Sequence, residues 1–363
     1  MGSTSQTAQT EAWAVVEHGK PLQKLTLPLH QPTGSEVVVK VTHCGVCHSD
    51  LHFWEGFFDL GGSRGRVSIK ESGFGLPRAV GHEIAGEVAA LGPDAEGGGI
   101  KVGDRRIVYP WIGCNKSDCV RCQNGEDNLC LNQVALSMAR DGGFASHVVV
   151  PHARYLFDPG NVDPAVACTF PCSGITVLNA IRKVLPLHPD DPILLVGAGG
   201  LGLQAISMLR ALGHEAIISM DLSESKRAAA EAAGARYVCG SGDDTSKKIL
   251  AAAIRPILGT IDFVNNSATA QLAYDVLSKG GNMVQVGVMG GELNISLVEF
   301  IFKAVSIHAN MTGNLQHLRE VVQLAQEGKL APIPVTEVPW NQANDALERL
   351  RQGKVQGRLI LKV

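Results

Sequence analysis

The sequence predicts an α/β protein in two parts, a β-rich, barrel-like unit and a doubly wound parallel sheet. Three observations carry this. Up to about residue 160, short β-like runs are split by glycine and proline; from about 190, apolar runs alternate with helical stretches for about one hundred residues. Between an apolar strand and a helix sits a glycine-rich turn, Gly197-Ala198-Gly199-Gly200-Leu201-Gly202. The length of 363 residues suits two domains and a substantial core.

In order, the first part holds β-like runs at 11–16, 36–41, 106–109 and 146–150. The polar residues 1–7 read as a disordered leader without an apolar signal core. The glycine-bearing stretch 61–77 reads as a long loop, a common place for function. In the second part, strands at 193–196, 216–220, 237–239, 261–264 and 283–286 alternate with helices at 201–212, 224–232, 246–254 and up to 277. A further helix at 317–327 and a β-like run at 358–361 follow. The apolar stretch 193–209 holds Gln204, Ser207 and a glycine cluster, so it reads as strand, turn and helix rather than a membrane span.

Composition narrows the function. A net charge of −3 offers no basic field for nucleic acid or anionic lipid, and 45% hydrophobic residues exclude wholesale disorder. The 41 glycines follow no Gly-x-y period, which excludes collagen. Nine cysteines without an export signal point to thiols or metal ligands in a cytoplasmic protein.

In the glycine turn, Gly197 permits the tight bend, Gly199 the approach of a pyrophosphate, and Gly202 close helix–sheet packing. Gly200 and Leu201 open the helix, whose free N–H groups favour phosphate. Asp221, nineteen residues past Gly202 at a strand end, suits the adenosine ribose hydroxyls and favours NAD over NADP. The plainer reading makes Asp221 a cap of the next helix. Cys114, Cys119, Cys122 and Cys130 fall in one window and suit a closed tetrahedral zinc site; Asp118 competes with Cys114 for the first position. Cys47, His82 and Cys172 offer two thiolates and an imidazole, with room for a fourth ligand. Each also has a bland reading, as a packed thiol or histidine, or as part of a Cys44-x-x-Cys47 redox pair. From spacing alone these alternatives stay open.

The motifs GVCHSDLH, GHE, the four-cysteine lobe, FPCSGIT and GAGGLG occur in an order that resembles the zinc-containing medium-chain alcohol dehydrogenases. The resemblance runs from about Ala12 to the C-terminus and looks closest to thermostable archaeal-type tetrameric NAD-dependent members. It implies a GroES-like catalytic domain over 1–171, a Rossmann coenzyme domain over 172–309, and a segment 310–363 completing the first. It implies Cys47, His82 and Cys172 as catalytic zinc ligands, Glu83 as an alternate ligand, and Asp50 as the carboxylate orienting the histidine. Ser49 and His52 match a proton relay, and His48 and Arg358 match basic contacts to the pyrophosphate. Thr176 matches the threonine beside the nicotinamide, Lys226 joins Asp221 at the ribose, and Val286 and Val288 meet the carboxamide. The lobe departs from the family's usual C-x2-C-x2-C opening, since four residues separate Cys114 from Cys119.

Two zinc ions per chain and NAD are therefore the expected cofactors. The expected partners are a small alcohol or carbonyl substrate and other copies of the chain, as a tetramer or dimer, with no nucleic acid and no membrane. Trp54, Phe57 and Trp111, with Phe58, suggest a mainly apolar substrate pocket for aliphatic, cyclic or benzylic alcohols. The competing expectations are a zinc-free quinone or enone reductase, a polyol- or aldehyde-directed zinc dehydrogenase, and a non-catalytic zinc- and NAD-binding sensor.

Overall fold

The computed structural model describes residues 8–95 and 99–363, so the leader expected at 1–7 lies outside it. The first part is a sheet with the strands in the order Leu156–Phe157, Arg105–Val108, Glu83–Leu91, Val37–Val46, Arg358–Lys362 and Val335–Pro339; His147–Val150 also pairs with Val37–Val46. Val37–Val46 is apolar and buried along nearly its whole length, as a strand covered on both faces must be. A smaller sheet, Gln23–Pro28, Gln9–Val15 and Arg78–Ala79, flanks it.

The second part is a six-stranded parallel sheet. With its strands numbered along the chain the order is 3-2-1-4-5-6, the doubly wound topology whose switch point lies beside the first strand, Ile193–Val196. Period-2 alternation sorts its side chains. Ile193, Leu195, Ile217, Ile261 and Val284 pack with the helices Ile175–Val184 and Gly200–Ala211. Leu194, Val196, Ile218, Met220 and Met283 face the helix Ser267–Asp275. The first of these cores runs on without a break into the β-rich part, so the two parts share apolar packing.

Residues beyond 310 return to the first part. Leu359 to Lys362 pair antiparallel with Val46 to His43, the residues leading into Cys47. The stretch 61–77, expected to be a plain loop, is partly ordered as a hairpin: Phe57, Phe58 and Asp59 pair with Ser68, Val67 and Arg66. Among the described residues one helical run, Pro164–Val184, is long and apolar enough to cross a membrane, and it is mostly buried within the protein.

The cysteine lobe is anchored by a buried carboxylate. Asp127 accepts hydrogen bonds from Arg154 at 2.8 Å and from the Tyr155 hydroxyl at 2.9 Å. A buried carboxylate that loses its cationic partner keeps the desolvation penalty. Arg154 is itself partly exposed, so Arg154→Ala is expected to cost about 2 kcal/mol in denaturant unfolding, with Tyr155→Phe costing about half as much.

Candidate metal and coenzyme site

Cys47 ends the central strand and caps the short helix His48–Glu55, placing Ser49, Asp50 and His52 within one turn of each other. His82 precedes the strand Glu83–Leu91, and Cys172 sits in the single π-turn Phe170–Gly174 that feeds the helix Ile175–Val184. These distant segments meet: ligand atoms of Cys47, His82, Glu83 and Cys172 all lie within 4.8 Å of one another, and all four residues are buried. Cys47 and Cys172 sulfurs are 4.0 Å apart, and the Cys172 sulfur is 3.3 Å from His82 Nε2. Tetrahedral zinc with zinc–sulfur bonds of about 2.3 Å needs sulfurs about 3.8 Å apart. The donor set therefore fits zinc.

Asp50 is fully buried and holds this cluster in shape. Its Oδ1 accepts from the Gly81 N–H at 2.9 Å and lies 3.0 Å from His82 Nδ1, while Oδ2 accepts from the Cys47 N–H at 3.0 Å. With Nδ1 committed, Nε2 is the nitrogen left for a metal. Burial works to lower the His82 pKa, but the charge and hydrogen bond of Asp50 prevail and raise it to about 10. The hydrogen bond from Cys172, opposed by burial and helped by His82, holds the Cys47 thiol well below its usual range; Cys172 is pushed up in turn. A divalent cation held here would take the place of the protons on Cys172 and His82.

Glu83 is ion-paired with Arg358, whose side chain is 5% exposed. A Cβ on Gly45 would sit 2.1 Å from Glu83 Oε2, so the glycine of the GVCHSD motif leaves room for that carboxylate. A Cβ on Gly200 would meet the Arg358 stem at 2.4 Å. Arg358 thus runs from the glycine turn to the ligand cluster, rather than serving the phosphate cradle alone.

The turn has the form a pyrophosphate requires. Gly197 has φ +96°, a Cβ on Gly202 would lie 2.0 Å from the Gly197 carbonyl oxygen, and the space beside Gly199 is open. Asp221 accepts from Ala198 N–H at 2.8 Å and Ser223 N–H at 2.9 Å, so it braces the turn and the next helix together. Lys226 lies half-buried in that helix, and Arg227, which sequence reasoning passed over, donates to the Asp221 and Leu222 carbonyls. Thr176 donates to the Cys172 carbonyl at 2.7 Å; the Val286 N–H goes to Asp262, and Val288 is exposed.

Ser49 Oγ is 4.0 Å from the Cys47 sulfur. Both ring nitrogens of His52 are buried without a hydrogen-bond partner, and burial lowers its pKa. Burial also lowers the His48 pKa. Phe58 lies beside His52, with centroids 5.1 Å apart, and Trp111 beside His82 at 5.3 Å, so both aromatics border the site. Phe57 carries the Arg66 guanidinium on its ring. Trp54 donates to the Lys20 carbonyl and stacks with Arg351, contacts that pack the catalytic helix against the C-terminal helix Ala343–Arg351. In the lobe, Cys114, Cys119, Cys122 and Cys130 sulfurs also gather within 4.8 Å, with 3.9 and 3.8 Å for two pairs; Asp118 is not in this group.

Sequence reasoning also missed the segment after the strand Ser306–Ala309. Asn128 holds the Met311 carbonyl, Asn179 that of Thr312 and Tyr109 that of Gly313, while Thr312 has φ +49°. These clamps come from far along the chain and leave no local motif.

The chain matches the family models described as "Alcohol dehydrogenase GroES-like domain" over 33–158 and "Zinc-binding dehydrogenase" over 200–327. It is 34% identical to an NAD-dependent alcohol dehydrogenase of Sulfurisphaera tokodaii, covering 96% of this chain and 99% of that one. An alcohol dehydrogenase of Geobacillus stearothermophilus is 30% identical over 90% of this chain and 91% of its own. The crystal structure of the alcohol dehydrogenase from Aeropyrum pernix superposes with a TM-score of 0.87 at 29% identity, covering 97% of this chain and all of that one.

Removing the carboxylate charge that orients His82 is expected to weaken metal retention. Asp50→Asn should raise the dissociation constant for zinc about 10- to 100-fold in a chelator competition titration. Unchanged retention would remove Asp50 from the role assigned to it.

Proposed function

The chain belongs to the zinc-binding alcohol dehydrogenase family, and from that premise we propose that it oxidises alcohols reversibly to aldehydes or ketones with NAD. The observation that carries the reading is the convergence of Cys47, His82 and Cys172 from three distant segments into one buried donor set. A zinc-free reductase has no use for such a set. Bound zinc supplies Lewis acidity toward the alcohol oxygen, and NAD supplies the hydride acceptor. Cys47, Cys172 and His82 hold the metal, with Glu83 held in reserve by Arg358. Ser49 relays the alcohol proton, accepting it as its own hydroxyl proton moves on toward His52, which burial keeps neutral and which releases it to solvent. A sensor without turnover needs neither group. Trp111 and Phe58 keep the reacting centre dry and favour apolar substrates.

The first-turn N–H groups at Gly200, Leu201 and Gly202 hold the pyrophosphate, with Arg358 supplying positive charge there and His48, whose pKa burial lowers, a ring N–H. Asp221 and Lys226 bind the adenosine ribose, Thr176 flanks the nicotinamide, and the backbone at Val286 and Val288 meets the carboxamide. The second zinc is held by Cys114, Cys119, Cys122 and Cys130, where the grouping of sulfurs favours Cys114 over Asp118. All nine cysteines are free thiols, which suits the cytoplasm. Self-association is supported by the edge strand Ser306–Ala309 beside the helix Leu297–Lys303, where Leu297, Val298, Ile301 and Phe302 are all more than 60% exposed. A homotetramer is the proposed assembly.

NAD reduction should be seen with aliphatic, cyclic or benzylic alcohols and should be lost on treatment with a strong chelator; activity confined to polyols would overturn the substrate reading. Elemental analysis should return two zinc ions per chain. Cys114→Ser should lower this to one while Asp118→Ala keeps two, and a wild-type value of one would show that one cluster is misread. Asp221→Ser should shift the NADP-to-NAD ratio of kcat/KM upward about tenfold or more, because it removes the charge that repels a 2′-phosphate. An unchanged ratio would take Asp221 out of ribose recognition.

A further inference from the structure

The two parts of the molecule also touch through four glycines. The hairpin Phe57–Ser68 follows directly on the helix carrying Ser49 and His52, and its tip holds Gly61 and Gly62. Opposite lie Gly290 and Gly291, just past the C-terminal end of the strand Asn282–Gln285, the edge at which open α/β sheets bind their ligands. A Cβ on Gly61 would lie 2.4 Å from Gly291 Cα, and one on Gly290 would lie 2.3 Å from the Asp59 carbonyl oxygen. A Cβ on Gly62 would meet the Glu292 carboxylate at 2.1 Å. Two of these contacting groups, Gly291 Cα and the Asp59 carbonyl, are backbone, and there the main chains cannot approach this closely with any side chain between them; the Glu292 carboxylate ends a flexible side chain that can give way.

Each side is fixed to its own part. Leu60 N–H donates to the Gly65 carbonyl and Gly61 N–H to Asp59 Oδ1, which shapes the hairpin tip. On the other side, Met289 N–H donates to the Val264 carbonyl, Asn265 Nδ2 to the Gly287 carbonyl, and Glu292 N–H to Ser267 Oγ. The contact therefore joins two braced surfaces rather than two free loops. Phe58, beside His52, lies on the same hairpin, so the tip cannot lift without disturbing the wall of the site.

We propose that Gly61 and Gly62 interlock with Gly290 and Gly291 to hold the cleft shut over bound coenzyme, and that parting this contact sets the rate at which coenzyme leaves. The proposal rests on the NAD reading above. It assigns the four glycines as positioning residues, and it makes coenzyme release a step that costs the separation of close-packed backbone.

The test is stopped-flow measurement of NADH dissociation from the full-length protein, by displacement with excess NAD. Gly61→Ala and Gly290→Ala should each release NADH about tenfold faster than wild type, since overpacking of a close contact props the parts open. Gly65→Ala is the control. Gly65 has φ +62° and open space where its Cβ would go, so the substitution brings the same kind of backbone strain as Gly61→Ala without the clash. It should release NADH at the wild-type rate. Two variants on opposite sides guard against misfolding of either. NADH binding with Gly61→Ala dissociating no faster than Gly65→Ala overturns the interlock alone. A wild-type protein that binds no NADH overturns the coenzyme reading and the interlock with it.

Discussion

Everything at the centre of this molecule leans on the carboxylate of Asp50. It is fully buried, an expensive place for a charge unless every lone pair is used, and it is used three times: by the Cys47 N–H, the Gly81 N–H and His82. Those bonds tie the end of one strand to the start of its neighbour and fix which histidine nitrogen faces the sulfurs. A group oriented this way needs no rearrangement when the metal arrives. The neighbouring ion pair of Glu83 and Arg358 extends the same economy toward the glycine turn, so ligand cluster and coenzyme cradle are joined by one side chain.

The coenzyme part was the more legible in the sequence, because its signals are local. The strands at 193–196 and 237–239 and the helix at 224–232 fall where periodicity puts them, the other expected strands and helices differ by a residue or two at their ends, and the helix Leu297–Lys303 and strand Ser306–Ala309 have no counterpart among them. The GAGGLG turn works through neighbours in the chain and could be assigned glycine by glycine. The helix Ile175–Val184 has no counterpart among the expected elements, although Asn179, Arg182 and Lys183 mark a polar side against its seven buried residues. The strand Glu83–Leu91 escapes notice because Ala85, Gly86, Ala89 and Ala90 are weak strand formers and leave no clear alternation.

The site divides along the same line. The four-cysteine lobe is readable because its candidate ligands lie in one window, and the Cys114 sulfur lies with the other three while Asp118 is not in the group. Spacing alone could not separate Cys47, His82 and Cys172 from packed residues; resemblance made that choice, and the fold then brings the three together. Trp54 shows the reverse. Its place near the catalytic motif suggested a pocket wall, whereas its contacts with Lys20 and Arg351 belong to helix packing. The stretch 61–77 looked structureless because a three-pair hairpin with glycines at its tip carries no pattern longer than noise.

The pairing of Leu359 to Lys362 with His43 to Val46 has a consequence for the order in which the protein is made. The strand that presents Cys47 is synthesised early, yet one of its flanking partners emerges only after the entire coenzyme sheet. During translation the parallel sheet has all six of its strands in hand while the β-rich part still has an open seam beside its first thiol. A nascent chain therefore holds every strand of its parallel sheet before the strand that closes the β-rich sheet beside Cys44 and Val46 has been made.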